Sequence, residues 1–273
     1  MWLNDITDLA FQNDPDNPLL DILLGVAARH LQLLNPEDQS VASRSVYYHS
    51  RGLEKCNKML SQINEKSCLL VFASSILIAL HLVLQRHEKK RSERYQVPTA
   101  WFQAMRGIHT IATLNRPWIM SSNLRHLLYD WRPLSFDHEI EDDSVFKPLL
   151  IGLENHPNPT HVATYEYVVK YLHWMYTQRV QLKTNPDLRK DLLAFPGKVP
   201  ELFLTLLEKN DPRALVITAH FFALLRCVKH LWWLDGIPER EMQGLLTIVP
   251  NDWMWAMEWP IQQFSEHRGL TSP

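Results

Sequence analysis

Thirteen histidines, three cysteines and one run of carboxylates are the residues in this chain whose types could do chemistry. The carboxylates cluster at Asp137, Glu139, Glu141, Asp142 and Asp143, with His138 among them. Hard cations take several oxygen ligands, and such a run supplies them. Adjacent side chains diverge, however, and a helical diphosphate site needs its acids as D-D-x-x-D on one face. Asp142-Asp143 is followed by Ser144, Val145 and Phe146, so the last position fails. The run reads as a solvated acidic connector. His126 and Asp130 are spaced for one helix face, as are Glu166 and Lys170, but no histidine pair has a matching second pair at ligand spacing. No metal site is expected. Cys56, Cys68 and Cys227 sit inside apolar helical patterns, and an odd, dispersed set favours reduced thiols. Cys227 lies between Arg226 and Lys229, which would lower a thiol pKa; its mostly apolar neighbours read instead as inert packing.

The motifs of common enzyme classes do not occur. There is no G-x-S-x-G elbow, Walker A loop, G-x-G-x-x-G or H-E-x-x-H. With 8 glycines against 17 prolines, phosphate-cradling loops and a turn-rich sheet fold are disfavoured. A net charge of -2 gives no basic face for nucleic acid. Lys89, Lys90, Arg91 and Arg94 are diluted by Glu88 and Glu93 and read as a solvated helix end. No cofactor and no catalytic residue is expected on these grounds. The first residues carry acids and prolines where a secretory leader would be apolar.

Helical periodicity dominates the elements that would position any site. Asn17 can cap and Pro18 suits a first turn. Leu19, Leu20, Leu23, Leu24, Ala27, Leu31 and Leu34 then follow as an apolar stripe. A second helix is expected over about 37–63 and a fourth from Pro98, with Trp101, Met105, Ile108, Ile111 and Leu114 inward. Between them, "CLLVFASSILIALHLVL" is nearly uncharged over about 17 residues, at the short end for a bilayer span. Its surroundings are amphipathic, so it reads as a central buried helix, not a span. Short helices are expected over 122–131 and 144–153. A long one runs from Thr160 to about Lys183, with Val168, Tyr171, Leu172, Met175 and Tyr176 inward. "PRALVITAHFFALLRCVKHLWWLDGIPE" reads as one strongly aromatic helix, followed by two short helices carrying Met242–Ile248 and Asp252–Trp259. The expected fold is all-α: a single multi-helix domain, residues 1–273, with about ten helices around a central apolar pair.

Trp232, Trp233, Trp253, Trp255 and Trp259 concentrate near the C-terminus. Indole combines a large apolar area with one donor, which suits a cavity for a rigid polycyclic guest. If the two most apolar helices lie side by side and these tryptophans close over them, the ligand-binding residues are Phe72, Ile76, Leu80, Phe221, Phe222, Leu225, Trp232, Met254 and Trp255. Should such a pocket also do chemistry, His220, His81 or Asp235 are the acid/base candidates.

"LLDILLGVAARHL", "YYHSRGLEKCNKML", "EKSCLLVFASSILIAL", "WFQAMRGIHTI" and "VPELFLTLLEKNDPRALVITAHFFALLRCVKHLWWLDG" follow one another in an order that resembles the regulatory domain of fungal zinc-cluster transcription factors, especially the sterol-uptake-regulator type. The specific part is P-x-A-L-x-x-x-A-H-F-x-x-L-L, then W-W-L-x-G, with Trp259-Pro260 some twenty residues on. The resemblance covers nearly the whole chain. It implies an all-α regulatory domain that, in sterol-sensing relatives, holds a sterol in an apolar pocket and controls nuclear entry or activity. It also implies a six-cysteine zinc cluster ahead of that domain. Met1 stands at the edge of the regulatory region, and three scattered cysteines cannot build two zinc sites, so no direct DNA binding by this chain is expected. Only Gly236 follows the W-W-L segment before Ile237-Pro238, where the family has a glycine-rich loop. The expected function is therefore a lipid-sensing regulator of transcription in nucleus or cytoplasm, working as a homodimer or with a partner factor. The alternative is a lipid- or terpenoid-binding protein of specialised metabolism, or a cofactor-free cyclase or isomerase built on the same fold. A third reading is an interaction module with its aromatic surface buried on another chain.

Overall fold

The computed structural model describes residues 2–12, 14–88, 94–128, 139–181, 186–228 and 231–265. The described residues form helices, 3-10 turns and loops and contain no strand, so the fold is all-α. Contacts between residues cluster into two compact units. The first comprises residues 1–92 and 100–131, and the second residues 93–99 and 132–273.

The first unit is built from α1 (Trp2–Ala10), α2 (Pro18–Leu34), α3 (Gln39–Leu60), α4 (Glu65–Glu88), α5 (Thr99–Leu114) and α6 (Arg116–Met120). Local chemistry fixes the helix starts. Asn17 Oδ1 accepts the Leu19 N–H at 2.9 Å, with Pro18 at the first helical position. Asp38 accepts from Ser40 and Val41 to begin α3. α2 and α3 then cross closely, because glycines stand at the crossing. A Cβ on Gly52 would meet Ile22 Cγ1 at 2.4 Å, and one on Gly25 would press on the His49 backbone at 3.0 Å. Ser45 donates to the Gly25 carbonyl across the same contact at 3.0 Å. Asp21 is buried there, held by the Arg51 guanidinium and by Lys55 Nζ at 2.9 Å.

α4 packs on α2, α3, α1 and α6. It is long and apolar enough to cross a membrane by length and composition, yet most of its apolar window is buried inside the protein. That is the environment of a core helix. The stripe on α2 is not the core face that the sequence suggests. Leu19 is buried along with Ile22, Gly25 and Val26, whereas Leu24, Leu31 and Leu34 are exposed. The glycine crossing decides this: it turns the Ile22–Gly25–Val26 side inward, and the leucines on the other side stay outside.

The second unit contains α7 (Pro159–Gln181), α8 (Pro186–Lys198), α9 (Glu201–Glu208), α10 (Pro212–Leu225), α11 (Ile237–Leu246) and α12 (Glu258–Ser265). α10 is its centre: every residue from Arg213 to Leu225 is buried, and α7, α8, α9, α11 and α12 all pack on it. Asp211 starts this helix by accepting the Ala214 N–H at 3.0 Å, and it also accepts the Tyr165 hydroxyl at 2.8 Å. Arg213 reaches back to the carbonyls of Leu149 and Ile151 and tethers a 3-10 segment to the core.

The aromatic stretch is not one helix. α10 ends at Leu225, a separate 3-10 turn carries Trp232–Leu234, and α11 begins after Gly236 in a left-handed conformation, φ 71°. The helices expected over 122–131 and 144–153 are also shorter: 3-10 turns at Asn123–Leu127, Lys147–Leu150 and Leu153–Asn155 take their place. Pro148 and Gly152 (φ 79°) interrupt the second of these stretches. By contrast α7 buries Val168, Tyr171, Leu172 and Met175 as its periodicity suggests.

Candidate functional site

The nine expected ligand residues divide between the two units. Phe72, Ile76 and Leu80 lie on α4 in the first, where Phe72 is fully buried and the other two are half-buried. The remaining six lie in the second unit. There Phe221 and Phe222 are fully buried and in ring contact at 5.2 Å, and Phe195 stacks on Phe221 at 4.4 Å and 16°. Leu225 is buried beside them on α10. These side chains are buried around α10, ring against ring, as in a packed core. Trp232, on its own 3-10 turn, is 50% exposed.

Met254 and Trp255 are placed differently. With Glu258, Ile261 and Gln262 they line an open groove of about 710 Å³ on the second unit. Three of these residues share a face of α12, since Glu258, Ile261 and Gln262 are spaced i, i+3, i+4. The other two come from the 3-10 turn Asn251–Met257 immediately before it. Trp255 is 48% exposed, a large apolar side chain held at the surface. Its indole is stacked on Trp253 at 6.0 Å and 25°, and the Arg213 guanidinium lies over Trp253 at 4.9 Å. The groove wall is thereby braced on α10, which packs directly on both the turn and α12. Arg226 adds a second brace, bonding Glu239 at 2.8 Å and the Gln263 carbonyl.

Neither Ile261 nor Gln262 stands out in the sequence. The tryptophan cluster points to the right segment, but only the turn of α12 brings these side chains opposite Trp255.

The candidate acid/base groups do not open onto such a site. His220 is fully buried, stacked on Trp259 at 5.2 Å and 17°, and near Phe146 at 5.6 Å. Its Nδ1 bonds the Val216 carbonyl at 2.9 Å, and burial pushes its pKa down to about 4. His81 lies in the first unit, stacked face to face on His49 at 3.7 Å and 9°. Burial, then the neighbouring His49 and Arg29, lowers its pKa to about 3. Two parallel imidazoles cannot converge their lone pairs on one ion, so this pair is not a chelate. Asp235 is exposed.

Among the described residues no group of three or more His, Cys, Asp or Glu is arranged to hold a metal. Asp137, His138, Asp130, Lys89, Lys90, Arg91 and Lys229 lie outside the described residues. His126 sits 3.6 Å from Asp5 Oδ2. Burial raises the thiol pKa of Cys56 and of Cys68 to about 11, which keeps both as unreactive thiols.

Residues 1–91 match the family model described as the fungal specific transcription factor domain. That match coincides with α1–α4 of the first unit. The chain is also similar to a "Zn(2)-C6 fungal-type transcription factor" of Gibberella zeae, 28% identical over 284 residues, covering 96% of this chain and 56% of that protein. A second relative is the "Zn(2)-C6 fungal-type transcription factor afumD" of Aspergillus fumigatus, 23% identical over 231 residues, covering 81% of this chain and 59% of that protein. The chain thus spans somewhat more than half the length of these curated relatives. Neither match specifies a sterol type. Over α1–α4 the chain is thus similar to the fungal specific transcription factor domain, and over nearly its whole length it is similar to a zinc-cluster transcription factor.

Proposed function

We propose that this chain is the ligand-responsive regulatory part of a fungal transcription regulator, and that its second unit takes up an apolar small molecule of sterol or terpenoid class. The observation that carries this reading is the groove of Met254, Trp255, Glu258, Ile261 and Gln262, with its half-exposed indole. A rigid hydrocarbon guest gains most from a flat aromatic wall that is already held in place. Trp255 is such a wall, fixed through Trp253 and Arg213. Met254 offers an adaptable thioether side chain beside it. Phe221, Phe222 and Leu225 serve this site as the packed backing on α10, while Met254 and Trp255 make the contacts.

In this reading a guest on Trp255 acts on the turn Asn251–Met257 and on α12, and through the Arg213 and Arg226 braces on α10. DNA contact is assigned to a zinc-cluster module outside residues 1–273, on the same polypeptide or on a partner, as in the relatives' names. Nuclear or cytoplasmic residence, as a homodimer or beside another factor, accords with those relatives. The catalytic alternative has less support, because His220 and His81 are sealed in ring stacks.

The test is a titration with dehydroergosterol, a fluorescent sterol delivered from cyclodextrin, read by energy transfer from the protein's tryptophans. Saturable transfer is expected, and Trp255→Ala should weaken it about tenfold or more, as for loss of a central aromatic contact. Absence of saturation, or saturation untouched by Trp255→Ala and Ile261→Glu alike, rules the groove out as the site.

A further inference from the structure

Of the five described residues that line the groove, four have uncharged side chains and the fifth is the Glu258 carboxylate. Glu258 is exposed, in the first turn of α12, and is free of any ion pair with the described residues. Among the described residues no lysine, arginine or histidine lines the groove. Beside the carboxylate stands the half-exposed side chain of Trp255. An indole face and a carboxylate are the two groups that attract an organic ammonium: the ring through its quadrupole, the acid through its charge. The same pair repels a carboxylate, sulfate or phosphate headgroup, and none of the described lining residues carries a positive charge to offset that repulsion. Ile261, one turn along from Glu258, leaves the rest of the surface for a hydrocarbon body.

We propose that the groove selects apolar molecules bearing a cationic amine over neutral ones, and neutral ones over anionic ones. This rests on the reading of the groove as a small-molecule site. The polar end of the guest lies against Glu258 and Trp255, and its ring system extends along Met254 and Ile261. A surface ion pair and an exposed cation–π contact are each modest, so their joint effect is a preference of about five- to tenfold for amine over neutral guest. Because Glu258 is exposed, added salt should narrow the preference.

Three sterols of one ring system but different charge test this: dehydroergosterol as the neutral probe, with a dimethylamino-carbamoyl cholesterol and cholesterol sulfate as competitors in the same cyclodextrin carrier. The expected order of displacement is amine, then neutral sterol, then sulfate. Glu258→Gln should collapse that order, so that the amine and the sulfate displace dehydroergosterol alike, with an unchanged circular dichroism spectrum showing that the variant is folded. Equal competition by amine and sulfate, or an order unchanged in Glu258→Gln, overturns the charge selection while the groove stands as a neutral-lipid site. Binding by none of the three overturns the site itself and this inference with it.

Discussion

Four histidines, His49, His81, His173 and His220, are packed groups whose charged form burial disfavours. His220 is enclosed by Trp259 and Phe146, and its Nδ1 is committed to the Val216 carbonyl. Its folded pKa, about 4, lies below the ordinary imidazole value near 6.5. His81 behaves alike at about 3, and His49 and His173 are also lowered by burial. The sign of the linkage follows. Above about pH 6.5 both folded and unfolded imidazoles are neutral, and stability is full. As pH falls from there towards 4, the unfolded chain takes up protons that the folded one refuses, and stability is lost. For His220 alone the slope is about 1.4 kcal/mol per pH unit in that window. Urea unfolding at several pH values should therefore show His220→Phe flattening the acid limb by close to one proton. An unchanged limb would mean that this ring titrates freely. Asp21, lowered by Arg51 and Lys55 against its burial, adds a further loss only at more acid pH.

At the scale of elements, helix entry points and close crossings carry the specificity. Asn17, Asp38 and Asp211 cap α2, α3 and α10, Asn17 as its position before Pro18 suggests. The α2–α3 crossing depends instead on what a glycine lacks. Gly52→Ala puts a methyl 2.4 Å from Ile22 Cγ1 and 3.0 Å from the Ile22 backbone nitrogen, and backbone cannot swing away. A loss of about 1–3 kcal/mol is expected from such overpacking, read as a lower urea midpoint at constant m-value. A neutral result would show that α2 and α3 can slide apart at little cost. Gly244 has a comparable role in the second unit: a Cβ there would run into the Tyr95 ring at 2.0 Å, and the Tyr95 hydroxyl donates to buried Glu241 at 2.7 Å. These two residues fasten segment 93–99 to α11, which is why that short segment belongs with the second unit and not with the helices that flank it in sequence.

For the whole molecule, α4 and α10 fall in different units. Each apolar helix has its own set of partners, α1, α2, α3 and α6 for one and α7, α8, α9, α11 and α12 for the other. A fragment of residues 1–131 therefore contains a complete helical core. It should unfold cooperatively by circular dichroism at 222 nm, with loss of a sigmoidal transition as the outcome that denies the first unit an independent core. The match of residues 1–91 to the fungal specific transcription factor domain falls within that fragment, whereas the groove lies in the other unit.

Composition and periodicity alone determined that the chain is all-α, where most long helices run, and that chemistry requiring glycine loops or clustered ligands has no motif here. Those properties are local: a cap, a proline or a 3.6-residue period acts within a few residues of itself. The tertiary structure decided which side of α2 faces inward, that α10 stops at Leu225, and that Phe221 and Phe222 fill space while Met254 and Trp255 border it. An apolar residue looks the same in sequence whether it packs a core or walls a groove. The difference is set by neighbours distant along the chain, such as Phe195 against Phe221 and Arg213 against Trp253, and only the folded chain brings those together.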